Sequence, residues 1–381
     1  MRPITLVDIF RSQGSWSLKG IKWLDHVLGF VAARCLASPQ AGSNVASPGP
    51  ARGLIIRPGG IGDAVLLLPV LRELRSAGHT FDILCERRNA AVFRSQSGLC
   101  DRVFCYNSVA DLNAVCREAY DWIVDTEQWH YLSAVLSRLL CSRSTAGFAT
   151  RPDRARLFSR PVDYVHAEYE LHNFSRLFAF LGVRTGLRLK GAYEIHAQDA
   201  AWAQAALSRP YAALALGGSS AARRFSLDQL AATARLIIDR GLDVVLLGGR
   251  DMEGAAGEVM ARLNNPAVVS FAGKTSLEQS AALIARAACF IGQDSGLLHM
   301  AAALAVPVVA VFGPGNKKKW FPEGAGTVPV TLDLACSPCT LFGYCIVTCR
   351  GQYPCLRAPE LTERLLKAVD QILPDVRRMS R

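Results

Sequence analysis

The sequence predicts an α/β protein made of two doubly wound parallel-sheet halves, and three observations carry that expectation. Short apolar runs of strand length alternate with longer stretches of helical periodicity, a pattern that demands right-handed crossovers and helices on both faces of a parallel sheet. The alternation pauses near residues 185–200 and then restarts, dividing the chain into halves of similar size. Glycines cluster directly after several apolar runs, where strands of such sheets turn into helices. With 381 residues, 50% hydrophobic and 20% charged, the chain has material for more than one core.

In chain order, Ile21, Leu24, Val27, Leu28 and Val31 recur at helical spacing among Lys19, Lys22 and Asp25, so residues 1–37 hold an amphipathic helix. Two readings of it stand side by side: a helix docked on its own domain, or a membrane-surface anchor with Trp16 and Trp23 at the interface. Residues 38–52, rich in Pro, Gly and Ser, read as a linker. Leu54–Arg57 is a buried strand, Gly59–Gly62 a turn and Ala64–Ser76 a helix. Strands follow at Phe81–Cys85, Asp101–Tyr106 and Trp122–Asp125, and a helix runs from Leu171 to Leu181, ending at Gly182. The second half has strands at Ala212–Leu216, Asp243–Leu247, Val268–Phe271, Cys289–Gly292 and Val308–Phe312. Its helices are Leu227–Asp239, Leu277–Ala288 with Ser276 as N-cap, one from Gly296, and a closing helix Pro359–Ile372 before the basic residues Arg377, Arg378 and Arg381. The expected domains are 1–52, a helical extension and linker; 53–190 and 191–357, the two sheet domains; and 358–381, a C-terminal helix.

Four constellations carry chemistry. Arg57-Pro58-Gly59-Gly60-Ile61-Gly62-Asp63 joins a strand to a helix, but Val65 replaces the third glycine of a dinucleotide fingerprint. Asp63 is either an N-cap carboxylate or a general base aimed above the sheet's carboxyl edge, where open α/β sheets bind ligands. Asp294-Ser295-Gly296 opens an Ala-rich helix and offers free backbone N–H groups at its positive end, with His299 one turn in. Ser219, Ser220 and Arg223-Arg224-Phe225 follow a third strand, where hydroxyls and a guanidinium suit phosphate oxygens. Gly248-Gly249 repeats the theme, with Glu253 as a carboxylate for ribose hydroxyls. The fourth is Cys336, Cys339, Cys345, Cys349 and Cys355, which are either thiols without metal or a structural zinc or iron–sulfur site, the later spacings being non-standard for zinc.

Lys and Arg exceed Asp and Glu by 43 to 32, so the chain carries +11 and suits an anionic partner. Arg87, Arg88, Arg151, Arg154, Arg156 and Arg160 could supply the attraction. No basic stripe with interleaved aromatics is present, which argues against nucleic acid. No apolar run reaches the roughly 18 residues of a transmembrane helix, and no signal-peptide pattern opens the chain, so a reducing, cytoplasmic setting is expected.

The stretch LIIRPGGIGDAVLLLPVLRELR, residues 54–75, resembles the opening of the bacterial heptosyltransferases of glycosyltransferase family nine. LIARAACFIGQDSGLLHMAAALAVPVVAVFGP, residues 283–314, is similar to that family's most diagnostic segment, and KKWFPEG at 318–324 to its Trp-x-Pro-x-Gly ending. The resemblance covers roughly residues 53–355 and implies the GT-B fold, two Rossmann-like domains with a cleft between them. It also implies inverting, metal-independent transfer of a sugar, typically from ADP-heptose, onto lipopolysaccharide core or a related anionic glycolipid, with no cofactor. The acceptor would be met at the inner membrane's cytoplasmic face.

By the same resemblance Asp63 is the general base, with Arg57, Gly60 and Gly62 on the acceptor side, and Asp294, Ser295, Gly296 and His299 bind the donor diphosphate. Arg223 stands where the family has a phosphate-contacting lysine, Phe225 where it has Trp, and Gly315-Asn316-Lys317 where it has Thr-Asp-Pro. Asp125-Thr126-Glu127 looks like an Asp-x-Asp metal pair but ends a strand of the other half. The competing function is a catalytically degenerate nucleotide-sugar-binding scaffold or sensor, for which a base at position 63 has no use.

Overall fold

The computed structural model describes residues 16–36, 49–218, 223–324, 326–341, 344–345, 349 and 352–373; the side chains of residues 16–22, 341 and 344–345 are outside that description. Ser219, Ser220, most of the 38–52 linker and Arg377, Arg378 and Arg381 therefore lie outside the described residues. Two compact units emerge, Met1–Arg188 with Phe342–Tyr344, and Leu189–Leu341 with Cys345–Arg381. Among the described residues no helix is long and apolar enough to cross a membrane.

In the first unit, helix α1 (Trp16–Cys35) precedes β1 (Arg52–Arg57), α2 (Ile61–Ser76), β2 (Thr80–Cys85), α3 (Arg87–Arg94), β3 (Val103–Cys105), α4 (Val109–Cys116) and β4 (Tyr120–Asp125). Then come α5 (Leu132–Leu139), β5 (Ser142–Phe148), α6 (Pro152–Ala155), β6 (Arg160–Val162) and α7 (Glu170–Leu177). The six strands are parallel in the order β3-β2-β1-β4-β5-β6. Strand β1 is central and buried from Gly53 to Arg57; both sheet faces are covered, which suits the apolar Leu54, Ile55 and Ile56, and Arg57 at its end is buried with polar partners. A 3₁₀ turn at Ala179–Leu181 continues α7, and Gly182 ends it in the left-handed conformation, φ 83°.

The second unit holds α8 (Ala197–Ala206), β7 (Tyr211–Ala215), α9 (Leu227–Asp239), β8 (Asp243–Leu247), α10 (Glu253–Leu263), β9 (Val268–Ser270) and α11 (Leu277–Arg286). It continues with β10 (Phe290–Gln293), α12 (Gly296–Ala303), β11 (Val308–Phe312), α13 (Lys317–Trp320) and β12 (Thr327–Thr331); along the chain a short pair, β13 (Thr340–Leu341) and β14 (Tyr344–Cys345), then precedes α14 (Pro354–Arg357) and α15 (Pro359–Ile372) of this unit. The main sheet runs β12-β11-β10-β7-β8-β9, again parallel. Ser226 and Ser276 each form a capping box, with Gln229 and Gln279 three residues on. Leu361, Leu365, Ala368 and Val369 of α15 close the core beneath β11 and β12.

Helix α1 is docked on its own unit, as one of the two readings has it. It packs on α5 and α6 with Leu24, Leu28 and Val31 pointing outward, while Asp25, Gly29 and Ala33 face the unit. A Cβ at Gly29 would collide with Tyr131, so close approach, not the apolar stripe, seats the helix. Asp25 anchors it: its carboxylate accepts the backbone N–H of Leu132 (2.6 Å) and Tyr131 (3.2 Å) and faces His130 Nδ1 at 3.1 Å, capping α5 from another helix. Burial alone would raise this carboxyl, but His130 and the two N–H groups outweigh it and hold it below the usual range. Asp25→Ala should cost about 1–2 kcal/mol, as lost caps do, read as a lower denaturant midpoint; no change would mean the contact contributes nothing.

Candidate functional site

Both sheets reverse strand order at one point, between β1 and β4 in the first unit and between β7 and β10 in the second. Open parallel sheets leave a crevice outside the carboxyl ends of the strands there.

At the first reversal, β1 runs into Pro58-Gly59-Gly60 and then α2. Gly60, which has no side chain, takes the N-cap position, so the N-cap reading of Asp63 fails; Asp63 is the third helical residue. Its carboxylate lies over the glycine turn, Oδ2 standing 3.5 Å from where a Cβ on Gly60 would be. Gly59 is left-handed (φ 108°), and a Cβ there would sit 2.9 Å from Arg57 Nη2, so this turn admits only glycine. Arg88, exposed at the start of α3, donates from Nε to Gly59 O at 3.0 Å and thus stands beside the same turn.

Arg57 is not available to an acceptor. It is 1% exposed, donates to the carbonyls of Pro58 and Thr126 (2.9 Å), and lies 3.6 Å from Glu127. Asp125 and Glu127 are likewise committed. Asp125 accepts Arg154 Nη2 at 2.6 Å and Ser133 Oγ at 3.0 Å, while Glu127 accepts Trp129 N at 3.1 Å. These contacts explain why the pair braces the strand ends instead of presenting two open carboxylates. Burial pushes Asp125 up to about 6 against the pull of Arg154. Arg154 is fully buried, so it does not supply the attraction for an anionic partner expected of it; the Arg151 guanidinium stacks 3.4 Å from the Trp129 ring, and Arg87 and Arg156 are exposed. Half-buried Tyr164 donates to Glu170 at 2.6 Å; its desolvation and the charges of Glu170, Asp63 and Glu127 push its hydroxyl far above its ordinary range.

At the second reversal the motif residues converge. Gly218, after β7, stands with its Cβ position 3.6 Å from Asp294 O, 3.7 Å from Ser295 Cβ and 3.8 Å from Arg223 Cβ. Arg223 Nη1 is 3.2 Å from Asp294 Oδ2 and donates to Asp294 O at 3.4 Å. A Cβ on Gly315, after β11, would lie 2.7 Å from Asp294 Oδ2, so the strand ends close in on one carboxylate. Ser295 is the N-cap of α12 without a side-chain cap bond, leaving the first N–H groups of Gly296 and its neighbours uncapped by it. Ser295 Oγ and both amide atoms of buried Gln293 have no hydrogen-bond partner among the described residues. His299 is buried, its ring 6.2 Å from that of Trp320, over which Lys319 Nζ lies at 4.4 Å.

Other expected residues sit apart. Gly248 and Gly249 follow β8, and exposed Glu253 begins α10, its carboxylate filling the space a Gly273 side chain would need. Asp251, not Glu253, reaches the double arginine, accepting Arg224 Nη2 at 2.7 Å. Cys336 and Cys349 are half-buried and Cys339 and Cys355 buried; among the described residues no group of three His, Cys, Asp or Glu is placed to hold a metal, and the Cys345 side chain lies outside them. Gln293 and Lys319 are not among the site residues expected from sequence, and Gly315 enters there only as a departure from the family pattern. Gln293 was legible as the residue between a strand and Asp294, whereas a buried lysine reads as surface.

The model of glycosyltransferase family 9 (heptosyltransferase) matches residues 111–342, more than half the chain and the whole of the second reversal. The chain belongs to that family. Lipopolysaccharide heptosyltransferase 1 of Pseudomonas aeruginosa is 28% identical over 225 residues, 58% of this chain and 62% of that protein. Lipopolysaccharide heptosyltransferase 2 of Escherichia coli K12 is 39% identical over 98 residues, 25% of this chain, and the match spans only 28% of that relative's length. The solved E. coli ADP-heptose lps heptosyltransferase II superposes with TM-score 0.67 at 20% identity, covering 84% of this chain and 98% of that one. E. coli heptosyltransferase WaaC with ADP-2-deoxy-2-fluoro heptose gives 0.63 at 19%, covering 84% and 100%. These likenesses place the fold in the GT-B class expected from sequence, two six-stranded α/β units.

Proposed function

We propose that this family 9 protein is a heptosyltransferase that moves heptose from ADP-heptose to the core of lipopolysaccharide or a related anionic glycolipid. The observation that carries the reading is the convergence of Arg223, Asp294, Ser295 and Gly296 at the second sheet's reversal, with a helix N-terminus and unpartnered buried polar atoms at one place. The second unit is then the donor half: Arg223, oriented by Asp294, and the α12 N–H groups take the diphosphate, His299 supports them, and Gly248, Gly249 and Glu253 flank the nucleoside. Ser219 is assigned to the donor side from sequence alone. The first unit is the acceptor half, with Gly60 ending the turn and Gly62 in the first turn of α2, Asp63 as base and Arg88 meeting acceptor phosphate; the boundary between the halves lies near residue 190.

Asp63 accepts the proton of the acceptor hydroxyl as its oxygen attacks the anomeric carbon opposite the departing ADP, so configuration inverts. The leaving phosphates are stabilised by Arg223 and the helix dipole, charges that stand in for a divalent metal. The lipid-borne acceptor places the reaction at the cytoplasmic face of the inner membrane.

The test is transfer from ADP-heptose to a truncated lipopolysaccharide core, with a thermal-shift panel of ADP, UDP and GDP; stabilisation by UDP or GDP alone would overturn the donor. Arg223→Ala should weaken ADP binding about tenfold or more, because charge-assisted bonds contribute ~1.5–3 kcal/mol each. Unchanged affinity by titration calorimetry would remove Arg223 from the donor site.

A further inference from the structure

Eight large hydrophobic side chains are exposed among the described residues, and six of them lie on two packed helices: Trp23, Leu24, Leu28 and Val31 on α1, and Leu132 and Leu139 on α5. Only Val109 and Met260 lie elsewhere. Positions 24, 28 and 31 follow helical spacing and form one stripe, with Leu28 61% exposed. Leu132 joins it, since Asp25 of α1 holds its backbone N–H at 2.6 Å; Leu139, at the far end of α5, is 64% exposed. Such a grouping is far from the scattered single apolar residues that soluble surfaces carry.

Charge selects the occupant. The two acids of α1, α5 and α6 are both turned to internal bonds, Asp25 to the α5 start and Asp153 to the Tyr131 hydroxyl. The same elements carry Lys19, Lys22, Arg34 and Arg138 in sequence, and Arg156 directly follows α6. Arg34 is exposed one turn beyond Val31, its guanidinium 4.3 Å over the Phe30 ring, and Arg156 is exposed too. An apolar stripe with a tryptophan flank, fringed by cations and with its acids withdrawn, matches the headgroup–acyl boundary of an anionic bilayer better than it matches a protein surface.

We propose that the outward stripe of α1, together with Leu132 and Leu139 of α5, is a docking surface for anionic lipid bilayers. The inference deepens the proposed function by giving it a means of meeting a lipid-borne acceptor, and it rests on that reading only for its purpose, since binding is measured without acceptor.

The full chain is mixed with phosphatidylethanolamine vesicles with and without phosphatidylglycerol, free of lipopolysaccharide, and floated on a density gradient. The chain should float with the anionic vesicles, less so as salt rises, and L24E/L28E should cut partitioning roughly tenfold or more. Both leucines are exposed, so the variant should keep its thermal midpoint and its transfer to a water-soluble core acceptor. Equal flotation of variant and parent, no flotation of the parent, or a light-scattering dimer that L24E/L28E dissociates would each overturn the proposal. Vesicle binding without any heptosyl transfer would instead sink the proposed function and leave the docking surface standing.

Discussion

Asp63→Asn is expected to lower heptosyl transfer about 10²–10⁴-fold, the usual contribution of a positioned general base, while ADP affinity stays at its parent value. The amide has the carboxylate's shape, so the glycine turn beneath Oδ2, where a Cβ on Gly60 would stand 3.5 Å away, keeps its packing. It cannot take a proton at neutral pH. The Arg223–Asp294 pair, which the proposal assigns to the donor, belongs to the other unit and loses no contact. A fall in kcat with KM for donor unchanged is therefore the expected split. The same variant separates enzyme from degenerate binder, because a scaffold would bind nucleotide sugar equally well with either residue and show no turnover to lose. Full activity in Asp63→Asn would exclude the carboxylate from proton transfer.

Much of the fold was legible because buried strands of a parallel sheet admit little but apolar residues. Asp243–Leu247 and Val308–Phe312 announce themselves as continuous runs, and Leu227–Asp239 carries its cap and its period in plain text. Strand β5, Ser-Arg-Ser-Thr-Ala-Gly-Phe, has neither run nor alternation, and its identity comes from pairing with β4 and β6. Strand β12 contains Pro329, which an edge position tolerates and a sequence reading discounts. In helix α1 the apolar stripe was legible, but which face docks was not: Gly29 and Ala33 permit a closer backbone approach than leucines would, so the small face went inward.

At the site, the loops were legible from their glycines and the helix start from Asp-Ser-Gly. What the sequence concealed was which charges are interior. Arg57 and Arg154 read as ligands for anions and instead cross-link strand ends, since a guanidinium can satisfy several carbonyls and a carboxylate at once in a way that no local pattern signals.

That cross-link sets the second large expectation. Arg154→Leu should destabilise the first unit by roughly 3–5 kcal/mol, the loss seen when one partner of a buried ion pair is removed. The guanidinium donates to Asp125 at 2.6 Å and to the carbonyls of Glu127 (2.7 Å), His130 (3.1 Å) and Phe148, so leucine strands all four acceptors. Acidity gives the loss a signature. Burial already raises Asp125 to about 6, above its unfolded value, so this group binds more protons in the folded state and its contribution falls as pH rises toward 6. Without Arg154 the folded carboxyl moves higher still, and the decline extends through neutrality. The stability gap between variant and parent should therefore widen from about pH 6 to 8 and narrow in mild acid, measured by urea denaturation followed at several pH values. Pairing the change with Asp125→Asn should recover part of the loss, because the amide removes the buried uncompensated charge. A gap that ignores pH, or a double variant no better than the single one, would show that Arg154 stabilises the unit through its carbonyl contacts and not through Asp125.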